Sequence, residues 1–497
     1  VQLEIAGEMS MRSWAIGMKC SGVLAVLLAV AGCDGRRDDG PVQVDVIGSA
    51  EQAANPLPDS VSPAAKAMLG ATAQGLLSYD ERGEIIDALA ESWIVEDGGQ
   101  SYIFRLKRLA WPSGQPVKAE LVARLLNERM RANPLSMAGL RPDVRAMTDR
   151  VIEIRLHAAL PTFLQLLAQP QFAILIRGGG TGPYRAEREG AVTVLTPVPR
   201  IVAGEAEEEP APAETRALYV NRAALAIVRF KAGESDLVLG GRFQHLPLVS
   251  AAGLTINDLR VDPVVGLLGL GITGSSHFLD DVSVRDALSR VVDRAALAAM
   301  WGLPAWQTAD YPLPAPLGLD RQPSAPAWTG RPMAERIASA REVIARWREK
   351  NGDPPMLRVA LPDGAGASLL FIRLAQDFGQ IGVRVDRVGI NEPADLGLID
   401  EVAPFDNALW YLSRLDCAAK LRCDPEASAV LGEARETEDP ALQATRLAEA
   451  ERLIVAHAGY IPLGQPIRWA LVQRRLNGFQ ASPRGIHPLN RLIAVPN

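Results

Sequence analysis

The chain is poor in the residues that usually announce chemistry. Among 497 residues there are four cysteines and five histidines. No histidine lies close in sequence to Cys417 or Cys423, so a zinc-type ligand cluster is excluded as an expectation. Long basic runs are missing too. The formal net charge of −6 is spread along the chain, which argues against a nucleic-acid partner. GxSxG, HExxH and the Walker pattern do not occur, so neither an enzyme nor a cofactor is expected. After the first forty residues no stretch is apolar enough to span a bilayer. Gly271-Ile272-Thr273-Gly274-Ser275-Ser276-His277 places two serines beside a histidine, but residues adjacent on a chain seldom form a nucleophile–base pair. His157 and His457 read as structural, and Asp236 and Asp293 as capping or surface residues. The acidic run EAEEE (205–209), followed by PAPAE, reads as a solvated loop.

What is present is ordinary globular composition, 48% hydrophobic and 22% charged, in a length that suits two or three domains. The beginning is more specific. Lys19 precedes the apolar run CSGVLAVLLAV (20–30), then Ala31, Gly32 and Cys33. A positive residue, a short apolar stretch and small residues before a cut site describe a secretory signal over residues 1–32, too short for a membrane span. Cys33 after Val30-Ala31-Gly32 resembles the bacterial lipobox, in which that cysteine is lipidated. Asp34 behind it resembles the signal that retains Gram-negative lipoproteins on the inner membrane. The native start is expected at Met11 or Met18. The expected location is therefore the periplasm, tethered to the inner membrane by acyl chains. Outside the cytoplasm the remaining pair, Cys417 and Cys423, suggests one short-range disulfide, with two free thiols as the alternative.

Further along, strand and helix patterns alternate. Strands are expected at 44–48, 102–107, 150–156, 264–272, 356–362 and 383–388, where apolar residues alternate or run continuously. Helices are expected at 66–77, 119–130, 280–301 with Asp281 as N-cap, 333–350, 367–380 and 441–459. This alternation signals an α/β architecture. RGGGTGPYRAER (177–188) stands out, but it lacks the Lys-Ser/Thr of a phosphate loop.

Five blocks, in order, carry a resemblance. They are residues 75–122 (GLLSYDERGEIIDALAESWIVEDGGQSYIFRLKRLAWPSGQPVKAELV), GTGPY (180–184) with AGESD (232–236), DDVSVRDALSRVVDRAAL (280–297), YPLPAPLG (311–318), and 423–463 ending in Ile461-Pro462-Leu463. Together they resemble extracellular solute-binding proteins of the peptide/nickel class, the bacterial family 5 receptors of ABC importers. The resemblance implies a periplasmic-binding-protein-like α/β fold of two lobes and a hinge, with an extra domain inserted in the first lobe. Mapped here, residues 33–40 form a tether. Lobe one comprises 41–74, 178–263 and 474–497, the inserted domain 75–177, and lobe two 264–473. The hinge crossings fall near Val264 and Val472, and GTGPY is the tight turn that re-enters lobe one.

The same resemblance implies where a solute sits. Peptide-binding members often hold the α-amino group with an Asp after a Trp-rich strand, here within ALWYLSRLDCAAKLRCDP (408–425). Asp416 is the candidate for that role, Arg414 for a carboxylate partner, and Trp410 and Tyr411 for the cleft lining. Asn55 and Thr273 face the expected cleft by analogy. The implied function is a lipid-anchored, monomeric receptor that binds a short peptide or similar small solute and delivers it to ABC permease subunits. The alternative is a sensor or scaffold lipoprotein that keeps the fold without transport.

Overall fold

The computed structural model describes residues 40–495, apart from 55–61, 135–136, 178, 200, 203–204, 207–209 and 256. The signal segment, Cys33, Asn55 and most of the acidic run lie outside the described residues. Two large sheets organise the rest. The first has seven strands in the order Tyr184–Glu189, Val192–Pro197, Arg216–Asn221, Val42–Ile47, Leu237–Arg242, Arg468–Val472 and Leu259–Val261. Val42–Ile47 runs parallel to both its neighbours, and its valines are fully buried, the pattern of a strand covered on both faces. The second sheet has five strands, ordered Val385–Gly389, Leu357–Leu361, Leu396–Val402, Gly266–Ile272 and Tyr460–Gly464.

Between the sheets the chain crosses twice, at 262–265 and at 465–467. The crossings touch: the Gly266 amide donates to Gln465 Oε1 at 2.9 Å, and the Asp262 amide to the Arg468 carbonyl at 2.9 Å. The first crossing contains Val264. The second lies before the expected position near Val472, because Arg468–Val472 pairs on both sides with strands of the first sheet. Residues 468–473 therefore belong to lobe one.

A smaller four-stranded antiparallel sheet forms within residues 90–155, with helix Ala119–Ala132 laid on it through Val122, Leu126 and Met130. Its core continues into the helices Ala408–Ser413, Pro425–Glu436 and Pro440–His457 of the second lobe. Among the described residues, six α-helices carry side-chain N-caps, at Ser62, Asp281, Asp293, Asn407, Asp424 and Asp439, each contributing about 1 kcal/mol. Asp293 explains one departure from the expected elements. It caps a new helix, so 280–301 holds Val282–Val291 and Arg294–Trp301 rather than one continuous rod.

GTGPY lies against the end of helix Pro63–Thr72. Gly182 donates its amide to the Thr72 carbonyl at 3.1 Å, and a Cβ on Gly182 would sit 2.3 Å from the Thr72 carbonyl carbon. That backbone-on-backbone approach requires glycine. Tyr184 then enters the first sheet.

Candidate functional site: the cleft at the seam

A cleft of about 640 Å³ opens where the two sheets and the small domain meet, within the range typical of small-molecule sites. The first sheet supplies Gly240, Gly241, Arg242, Arg468 and Trp469. Helix Pro63–Thr72 supplies Lys66. Tyr79, Gln169 and Gln171 come from the inserted segment, Asp400, Glu401 and Trp410 from the second lobe, and Arg484 and His487 from the C-terminal segment.

Local sequence explains much of this wall. Gly241 stands directly opposite Trp469 in the antiparallel register, and a Cβ there would lie 2.1 Å from the indole ring. The ring therefore packs flat on bare backbone, and its Nε1 donates to the Arg242 carbonyl at 3.0 Å. Gly240, with φ +83°, lets Pro63 pack closely on the strand end, which brings Lys66 to the cleft one turn along its helix.

Polar groups cross the seam. Asp400 on the second sheet accepts from Arg468 Nη1 at 2.7 Å, and its other oxygen lies 3.8 Å from Arg242 Nη1. Arg484 donates to Asp406 at 2.5 Å and to the Ala403 carbonyl at 3.1 Å. Asp262 accepts from the Ser482 amide at 2.9 Å and sits 3.1 Å from His487 Nε2. Burial, reinforced by the Arg468 and Arg242 charges, lowers the Lys66 amine to about 8. Burial and then Arg242 lower His245, behind the wall, to about 4. Tyr79 is pushed up to about 12 by burial, against the pull of Arg484, and donates its hydroxyl to the Gln165 carbonyl at 2.6 Å. The side-chain oxygens of Gln171 and Gln244, both on the cleft lining, have no hydrogen-bond partner among the described residues.

Of the residues singled out in the sequence, Trp410 lines the cleft and packs edge-on against Tyr411 at 4.9 Å. The remaining described ones do not line it. Tyr411 is fully buried. Arg414 stands behind Glu401, donating from Nε at 2.8 Å. Asp416 accepts from Ser428 Oγ at 2.7 Å, Arg435 Nη2 at 3.0 Å and the Ala418 amide at 3.1 Å. Thr273 donates its hydroxyl to the Ala394 carbonyl at 2.8 Å. The element also differs from expectation: Ala408–Ser413 is a helix capped by Asn407, not a strand. Its residues pack on all sides, so apolar content alone could not distinguish the two. Cys417 and Cys423 are joined in a disulfide. Asp236, read as a capping or surface group, is instead buried and held bidentately by Arg475 at 2.7 and 2.8 Å. Among the described residues no group of three or more His, Cys, Asp or Glu is arranged to hold a metal.

Residues 84–400 match the family of bacterial extracellular solute-binding proteins, family 5, middle region. That match spans well over half of the chain. The chain belongs to this family. Within the wider group it is 26% identical over 351 residues to the nickel-binding periplasmic protein of Escherichia coli K12, covering 64% of this chain and 65% of that protein. The aligned region is thus just under two thirds of that relative's length. Solved structures share the fold. OppA of Haemophilus influenzae, in complex with the peptide RPPGFSPFR, has a TM-score of 0.74 at 16% identity, over 92% of this chain and 99% of that one. The murein tripeptide binding protein MppA of E. coli has a TM-score of 0.75 at 17% identity, over the same shares of the two chains.

Proposed function

We propose that this family member is the solute receptor of an ABC importer. It binds a short peptide or similar small solute between its two lobes and presents the closed form to permease subunits. One observation carries the reading: a cleft of about 640 Å³ sits at a seam that the chain crosses twice. Two short crossings let the lobes rotate with little backbone reorganisation, so a solute that bridges them shifts the equilibrium toward closure. The peptide and nickel named for its relatives set the first solutes to try. Trp410 is the proposed apolar contact from the second lobe. Arg414, Asp416 and Tyr411 serve behind it, holding Glu401 and the Trp410 helix in place. The receptor acts as a monomer in the periplasm, anchored to the inner membrane by lipid on Cys33.

A thermal-shift screen with di- and tripeptides and nickel chelates tests the binding step, and a raised Tm with at least one pool is expected. Silence across all pools would favour a scaffold that keeps the fold without a solute. Cys33→Ser is expected to release the exported protein into the soluble periplasmic fraction. If that variant stays with membranes, the anchor assignment is wrong.

A further inference from the structure

The charges around the cleft do not balance from within the protein. Strand register sets Arg242 directly across from Arg468, and like charges at opposed positions of a sheet repel. One carboxylate, Asp400, serves both, at 2.7 Å from Arg468 and only 3.8 Å from Arg242. Lys66 adds a third cation nearby and has no ion-pair partner among the described residues. The other carboxylates on the lining are already committed. Glu401 is held by Arg414 at 2.8 Å, Asp87 by Lys107 at 2.5 Å, and Asp262 faces His487 at 3.1 Å.

The cleft therefore has a spare cation and no spare anion. Its Lys66 amine sits near 8 because burial, with Arg468 and Arg242 alongside, penalises an uncompensated ammonium, and Glu401 offsets only part of that. An arriving carboxylate would relieve the penalty; an arriving ammonium would find no free carboxylate, only the neutral amide oxygens of Gln171 and Gln244, and would add to it.

We propose that the group recognised on the solute is a carboxylate or equivalent anion seated on Lys66 beside Arg242 and Arg468, and that a free α-ammonium is not required. The inference rests on the solute-binding reading and narrows its ligand class to organic anions.

The test uses the full chain in detergent, with two kinds of probe. Hydrophobic tripeptides are offered in four forms: free, N-acetylated, C-amidated, and capped at both ends. Free and N-acetylated acids are expected to bind alike, while the amides lose about tenfold or more in affinity, the scale of a lost charge-assisted contact. Lys66→Met should remove the acid-over-amide preference, Lys66→Arg should keep it, and acid affinity should fall as pH rises through about 8. Amides that bind as tightly as acids, or acids that need a free amino group, would overturn the inference while leaving solute binding intact. Acetate is the second probe, read through the Lys66 resonance of the 13C-dimethylated protein and assigned with Lys66→Met. Acetate, but not chloride at equal ionic strength, should raise the Lys66 titration midpoint. If no tripeptide binds but acetate still raises it, the anion seat stands and the peptide reading fails. If acetate leaves Lys66 unmoved, the anion seat is overturned.

Discussion

Asp416 shows how a residue can look like a ligand contact and be a structural anchor. Burial alone would raise its carboxyl, but the Ser428 hydroxyl, the Ala418 amide and Arg435 together hold it below the usual carboxylate range. Asp416→Ala strips a buried partner from Arg435 and is expected to cost roughly 3 kcal/mol of stability, measured by urea denaturation. Because the folded-state value is depressed, this contribution is present above the unfolded-state value and disappears as pH falls through the folded one. The gap between wild type and Asp416→Asn should therefore narrow below about pH 4. A constant gap down to pH 2 would refute the assignment. Lys66 carries the opposite sign. Its lowered folded-state value means that the charged form opposes folding, fully below about 8 and progressively less as pH rises. Lys66→Met is expected to stabilise the unliganded protein at pH 7 by about 1–3 kcal/mol, an advantage that fades as pH rises from about 8 and is largely gone by about pH 10. A destabilised Lys66→Met would mean that the amine has a partner in solution.

Elements and their junctions are governed by close approach and by short covalent ties. Gly241 has no room for a side chain because the Trp469 ring occupies it. Gly241→Ala must displace that ring from the cleft wall, and overpacking of this kind costs about 1–3 kcal/mol. Unchanged stability together with unchanged indole fluorescence would show that the ring does not rest there. The Cys417–Cys423 bond closes a loop with a sequence separation of 6, for which the chain-entropy model gives about 2 kcal/mol. Cys423→Ser should lower stability by about that amount, with the same result from reduction of the wild type. Most elements were legible beforehand, since Ser101–Leu106 alternates and Ala119–Ala132 carries an apolar stripe. The helix at Ala408–Ser413 was not. All six of its residues are buried, so no periodicity remained to read.

At the scale of the molecule the seam decides behaviour. Asp400 reaches from one sheet to Arg468 and Arg242 on the other. Asp400→Ala leaves those two guanidiniums facing each other without a counter-ion. The unliganded protein is expected to open, with a larger radius of gyration by small-angle scattering. An unchanged radius would mean that the pair does not hold the lobes together.

Family membership and the α/β fold of two lobes were accessible from the sequence, because each is written in local patterns or contiguous motifs. The second hinge crossing, the internal commitment of Arg414 and Asp416, and the significance of Lys66 depended on the tertiary structure. Lys66 is an ordinary lysine on an ordinary helix until the fold sets it beside Arg242 and Arg468 with every nearby carboxylate taken. Propensity and pattern act over a few residues, whereas charge compensation is a property of whatever the fold brings within a few ångströms.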